Sequence, residues 1–171
     1  SAANPAPTRL CEDQDMPSPR MRFGPDEADD AQATIEELVA GYESWYRIQH
    51  PGTGDVDGSD VELLLDWKVN YGDGCLDEWS TGEVEQFLLD WCPRKVSAPP
   101  SWAVTLVEAV ANGFTYLGEQ GLLSASSDRA DRLAAHTRSL AAQCQQRMAD
   151  PSNFGMAKSL FAGMGVDFEE E

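Results

Sequence analysis

Positive charge is scarce where this chain is most acidic: between positions 26 and 92 only Arg47 and Lys68 stand against eighteen carboxylates, a net of −16 within a total of −18 over 171 residues. A dense basic footprint is what phosphate backbones require, so direct nucleic-acid binding is excluded as an expectation. Histidine is limited to His50 and His136, and the cysteines Cys11, Cys75, Cys92 and Cys144 are scattered without a C-x-x-C pair. That spacing excludes a local zinc knuckle, and a chain of this length does not need disulfides, so the thiols read as reduced and mostly in the core. No run approaches the ~18 apolar residues of a membrane span, and the first residues have neither a basic stretch nor an apolar stretch of the kind that directs secretion. A cytoplasmic protein that does not enter a membrane is the expectation. Period-two alternation is also missing, which excludes a sheet-based fold.

What is present is a core. Hydrophobic residues make up 42% of the chain, with five Trp, six Phe and four Tyr. A disordered polyanion would lack the apolar area to offset its chain entropy. The length suits one domain, residues 26–166, preceded by an extended arm (1–25) with prolines at 5, 7, 17, 19 and 25, and followed by an acidic tail (167–171). Leu10, Met16, Met21 and Phe23 give the arm apolar contacts to offer.

Within the domain, apolar spacing of three and four predicts helices. The first begins at Asp26 after Pro25, carries Ile35, Leu38, Val39, Tyr42, Trp45 and Tyr46, and ends near Gln49. The second follows Ser59 and runs from Val61 to Asn70 with little polar face. Ser80-Thr81-Gly82-Glu83 is a capping box opening the third, which Pro93 is expected to stop. Ser101 is expected to cap a fourth, central helix in which residues 102–117 hold one charge, Glu108, and which Gly118 and Gly121 end. Ser127 or Asp128 opens a fifth reaching Met148, and Asp150-Pro151 starts a last one ending near Gly163. The fold class is therefore all-α, an irregular bundle of about six helices with an extended N-terminal arm. Val61-Glu62 before Leu64-Leu65-Asp66-Trp67 parallels Val84-Glu85 before Leu88-Leu89-Asp90-Trp91, suggesting a helical hairpin whose tryptophans face a common core.

Three sets of residues carry candidate chemistry. The loop Asp55-Val56-Asp57-Gly58-Ser59-Asp60 has oxygen donors at alternate positions. It places Asp60 where a calcium loop needs its turn glycine, so no metal and no cofactor is expected; Asp55, Asp57, Ser59 and Asp66 are the residues that would supply one. On the fifth helix, 100° steps align Arg129, Arg132, His136, Gln143 and Arg147, a candidate anion contact set against the plainer reading of a solvated or internally paired face. Of the acids, Asp26 to Asp30 and Glu83 serve helix starts and the Asp-Gly pairs serve turns. Glu36, Glu37, Glu43, Glu62, Asp77, Glu78 and Glu85 are then left as a partner-facing set.

The string Phe87-Leu88-Leu89-Asp90-Trp91-Cys92-Pro93-Arg94-Lys95, with Tyr116-Leu117-Gly118-Glu119-Gln120-Gly121-Leu122-Leu123 and Asp150-Pro151-Ser152-Asn153-Phe154-Gly155-Met156-Ala157-Lys158-Ser159-Leu160-Phe161, resembles a group of uncharacterised acidic, all-helical actinobacterial proteins. The resemblance spans residues 60–165 and implies a bacterial, cytoplasmic origin without a mechanism. Residues 114–123 are also similar to the helical core-binding domain of tyrosine recombinases, against which stand the chain's charge and the lack of a following Arg, His and Tyr set.

The expected function is a non-enzymatic protein-interaction or regulatory module whose acidic half meets a basic partner surface. The alternative is a helical protein binding a small molecule or metal, in a pocket among Trp67, Trp91 and Trp102 or at the 55–60 loop. An enzyme would need Asp66 and Asp90 as its carboxylate pair, and catalysis is the least supported reading.

Overall fold

The computed structural model describes residues 20–96 and 98–151. The expected last helix beyond Pro151, the tail and the first nineteen residues of the arm lie outside them. Among the described residues the chain is an all-α bundle: α1 (Ala28–Gln49), α2 (Ser59–Asn70), α3 (Thr81–Glu85) running through a π-helical segment (Gln86–Trp91) into α4 (Cys92–Lys95), then α5 (Trp102–Glu119), α6 (Ala130–Ser139) and α7 (Ala141–Ala149). Helix α5 is the centre. It packs on α1, α2, α6 and α7 and buries Leu106, Val107, Val110, Ala111, Phe114 and Leu117. Its neighbours come close where side chains are small. Tyr116 lays its hydroxyl over Gly41 of α1, and Gly118 faces the Cβ of Ala130 at the start of α6.

The end of the arm is held in place. Phe23 N–H donates to Gly74 O at 3.0 Å and Leu76 N–H to Met21 O at 2.7 Å, an antiparallel bridge centred on Arg22 and Cys75. Met21 and Phe23 are buried in the core. Gly74 is required here, since its φ of +76° is left-handed and the Phe23 carbonyl occupies the space a Cβ would need.

Several helix boundaries differ from the expected ones. Pro25 lies in a turn before α1, and Glu27 sits at the N-cap, its carboxylate accepting from Gly24 N–H. Ser101 makes no cap bond; α5 is entered through a tight turn in which Trp102 and Ala103 N–H donate to the Pro99 and Pro100 carbonyls. Ser127 and Asp128 are not the N-cap of α6, which is Arg129. They serve a different helix: Asp128 accepts from Thr81 N–H at 3.1 Å, at the start of α3, and Ser127 accepts from Trp79 N–H at 3.0 Å. Gly118 does not end α5, which continues to Glu119, and Gly121 supplies the left-handed turn beyond it.

The expected fifth helix is broken at Leu140 into α6 and α7. Thr137 Oγ1 bonds back to Leu133 O at 2.7 Å and Ser139 Oγ to His136 O at 2.6 Å, competing with the helical ladder just before the break.

Pro93 does not stop the third helix. A proline cannot donate to a carbonyl of the preceding turn, and its ring crowds one. The chain answers with π geometry, Cys92 N–H donating to Phe87 O, five residues back. Two of the carbonyls ahead of Pro93 are met from α7: Cys144 Sγ donates to Leu88 O at 3.3 Å and Arg147 to Leu89 O at 3.2 Å.

The capping box forms as expected, Ser80 Oγ accepting from Glu83 N–H and Glu83 accepting from Ser80 N–H. Glu83 has a second task. Lys68 is fully buried, its ammonium bonded to Glu83 Oε2 and to Asp73 Oδ1 at 3.0 Å, with the Trp79 ring 4.7 Å away. Trp79 is also fully buried, edge-on to Phe114 at 5.3 Å, and donates its indole N–H to Leu76 O. Sequence reasoning singled out Trp67, Trp91 and Trp102 and passed over Trp79. Trp67 and Trp91 both pack on Phe87, as the hairpin reading requires, though Trp91 is only half-buried and also meets Tyr71.

Candidate functional site

The described cations are mostly spent on the chain's own acids. Arg20 holds Glu27 and Asp30, Arg22 bridges Asp77 (3.0 Å) and Glu78 (3.3 Å), and Lys68 holds Asp73 and Glu83. Arg94 takes Asp90, Arg129 takes Asp131 and Arg138 takes Glu108, and the His136 ring meets Glu85 at 2.7 Å. The seven partner-facing candidates therefore divide into two groups. Asp77, Glu78 and Glu85 are bound to Arg22 and His136. Glu36, Glu37, Glu43 and Glu62, on α1 and α2, make no ion pair with a described residue.

Helix α1 arranges its acids by period. Asp29, Glu36 and Glu43 recur every seven residues, which at 100° per residue keeps them within about 40° of one another. At the end of this stripe Glu43 accepts from Gly58 N–H at 2.9 Å, so the 53–58 loop and its Asp55 and Asp57 follow directly on from α1. Asp57 accepts from Ser59 N–H at 2.9 Å in a local turn, and Asp60 from the Trp102 indole at 3.2 Å. Burial pushes the Asp60 carboxyl up and the charge of Asp57 adds to it, while the Trp102 bond works the other way.

Of the remaining candidates, Arg129 precedes α6, Arg132 and His136 lie on α6, and Arg147 lies on α7 across the break. Arg132 is exposed, and Arg147 meets the Leu89 carbonyl. Asp66 is half-buried, its carboxyl raised by burial and by Glu62, whereas Asp90 is exposed and paired with Arg94. Among the described residues no three His, Cys, Asp or Glu side chains come together in a way that could hold a metal ion, which includes Asp55, Asp57 and Asp66. Cys92 and Cys144 are buried and Cys75 half-buried; burial pushes the Cys144 thiol up to about 11. Cys11 lies outside the described residues.

Cavities of about 570, 450 and 420 Å³ are lined without Trp67, Trp91 or Trp102. The last is a cleft between the 53–57 loop and α5, with Tyr42 and Tyr46 of α1 on its walls together with Asp55, Asp57, Asp60 and Glu108. Its loop acids stand out in the sequence as an alternating Asp run. Tyr42 read as core and Glu108 as an isolated charge, and only the packing of α1 against α5 joins them to that run. No helix among the described residues is long and apolar enough to cross a membrane. Compared with known protein families, curated proteins and solved structures, the chain finds no match.

Proposed function

We propose that this protein is a non-enzymatic interaction module that binds a partner through a basic surface, and that the receiving face is the α1 stripe with the 53–60 loop. The supporting observation is the distribution of counter-ions. Of the two cations in residues 26–92, Lys68 is held in the core by Glu83 and Asp73, so the exposed Arg47 is the one left on α1 against its acids, while Arg22 is taken by Asp77 and Glu78. Asp29, Glu36, Glu37, Glu43, Asp55 and Asp57 have no ion-pair partner among the described residues. A face of one sign attracts and orients a partner of the other, mainly through the association rate. Within this reading Asp77 and Glu78 contribute less than the α1 acids because Arg22 answers their charge, and Glu85 because it is tied to the His136 ring.

The test is titration of the full chain with a fluorescent octalysine peptide at rising salt. The affinity should fall by about tenfold or more between ~50 and ~500 mM salt, as expected for exposed charges beyond a short Debye length. Glu36→Lys with Glu37→Lys should weaken binding far more than Glu85→Lys. Binding insensitive to salt, or equal losses for the two variants, would remove the α1 face from the proposal.

A further inference from the structure

We propose that the two adjoining cavities beside the 121–125 loop are the docking groove of this chain's own arm, residues 10–19, which lies along them in cis.

The supporting observation is the direction in which the arm enters the body. Arg20 and Arg22 are exposed while Met21 and Phe23 are buried, the alternation of an extended strand. Its backbone bonds are antiparallel, Phe23 with Gly74 and Met21 with Leu76, so the residues ahead of Arg20 are aimed along the chain that follows Leu76. There Ser124 N–H donates to Asp77 O at 2.8 Å, which sets the 121–125 loop in the arm's path. Arg20 and Met21 line the cavity of about 450 Å³ together with Leu122 and Leu123. The cavity of about 570 Å³ shares Leu123 and Ser124 with it and runs on past Ala125 to Gly118 and Ala130.

The chemistry of the groove matches the segment delivered to it. Leu122 and Leu123 are half-buried and packed on the core, so each keeps apolar surface to cover. Continuing the alternation puts Pro19 and Pro17 on the side of Met21 and Phe23, and a proline has no N–H to lose from water there. Both prolines also favour an extended backbone before docking, which lowers the entropy cost of ordering it. At ~3.3 Å per residue, Met16 reaches about 13 Å from Arg20 and Leu10 about 33 Å, enough to carry both side chains along two adjoining cavities of this size. Tethering decides between this segment and a rival. A segment joined at Arg20 has an effective concentration of the order of mM at the groove, ahead of a free partner of similar affinity.

The experiment is paramagnetic NMR on the ¹⁵N-labelled full chain carrying Cys75→Ser and a nitroxide on Cys11. Cys92 and Cys144 are 0% exposed and escape the label. Loss of amide signal at residues 115–131 is expected, with recovery when the nitroxide is reduced. Met16→Asp with Pro17→Asp removes apolar contacts from the arm without altering the body, and should restore most of the lost signal. Ala125→Trp, at an exposed position in the groove, should restore it by filling the space. Broadening that is weak and even over the whole surface would overturn the proposal, as would broadening at 115–131 that both variants leave unchanged. A mixture of nitroxide-labelled chain at natural isotope abundance with unlabelled ¹⁵N chain separates the two copies. Equal loss at 115–131 in that mixture would assign the groove to the arm of a second copy and refute docking in cis.

Discussion

Lys68 is the residue whose removal the structure makes most informative. Its side chain has 0% exposure, whereas those of its partners, Glu83 and Asp73, are 23% and 56% exposed. The cost of breaking such a group depends on which member is left without water. Glu83→Gln can keep the capping box, since glutamine serves at that position, yet it leaves a fully buried ammonium with the half-exposed Asp73 as its one charged partner. Stranding a buried charge costs about 3 kcal/mol or more. Lys68→Met removes the buried charge itself and retains most of the stem's contacts. Glu83 then keeps its bond from Ser80 N–H at 3.1 Å and some solvent, so a loss of about 1 kcal/mol is expected. The double variant should resemble Lys68→Met, which gives a coupling of about 3 kcal/mol in a double-mutant cycle. Urea unfolding at pH 7, followed by tryptophan fluorescence, measures all three, and Glu83→Gln should melt about 6–12 °C lower in a thermal scan. A Lys68→Met variant less stable than Glu83→Gln would refute the reasoning. So would a Glu83→Gln loss within about 0.5 kcal/mol, the range of ordinary surface changes.

Further outcomes follow from close contacts and from burial. Gly74→Ala forces a side chain into left-handed backbone against the Phe23 carbonyl, and should cost about 2 kcal/mol or more while abolishing exchange protection at the Phe23 and Leu76 amides. Gly41→Ala meets the Tyr116 hydroxyl, so Tyr116→Phe should recover part of the lost melting temperature in the double variant; a simple sum of losses would disprove the contact. Asp66 has a carboxyl raised by burial and by Glu62, so the folded state holds its proton to higher pH than the unfolded chain does and its ionised form opposes folding. Asp66→Asn should therefore melt higher than the parent at pH 7, with the gain shrinking as pH falls into the carboxylate range. A gain that is unchanged at low pH would assign it to another cause.

Where the sequence was legible, local and tertiary preferences agree. The end of α1 at Gln49, the Ser80–Glu83 capping box and the apolar α5 are all set by residues within a few positions of one another. The misreadings fall where a local signal was used by a distant element. Asp128 looks like a cap for the helix that follows it and caps α3 instead. Pro93 looks like a stop, and helix continues past it because Cys144 and Arg147 satisfy carbonyls more than fifty positions away. Lys68 was visible as a lone cation on a helix with little polar face, a sign of burial that was not followed to its partners. The cleft was half legible for the same reason: its Asp run is local, whereas Tyr42 and Glu108 join it only through packing between helices.

The acidity of residues 26–92 thus has two physical meanings that composition cannot separate. One portion is structural. Glu83 and Asp73 hold a buried cation, Asp77 and Glu78 hold Arg22 of the docked arm, and Glu85 links α3 to α6 through His136. Charge removed from these positions is charge removed from a contact, and stability should fall with it. The remainder, Glu36, Glu37 and Asp55 along α1 and the 53–60 loop, has no ion-pair partner among the described residues and lies among like charges. Neutralising Glu36, Glu37 and Asp55 should therefore leave stability unchanged or raise it at low salt, where repulsion is least screened, while weakening capture of a basic ligand. A loss of stability on that substitution would place these acids with the structural portion and remove the basis for assigning them a partner.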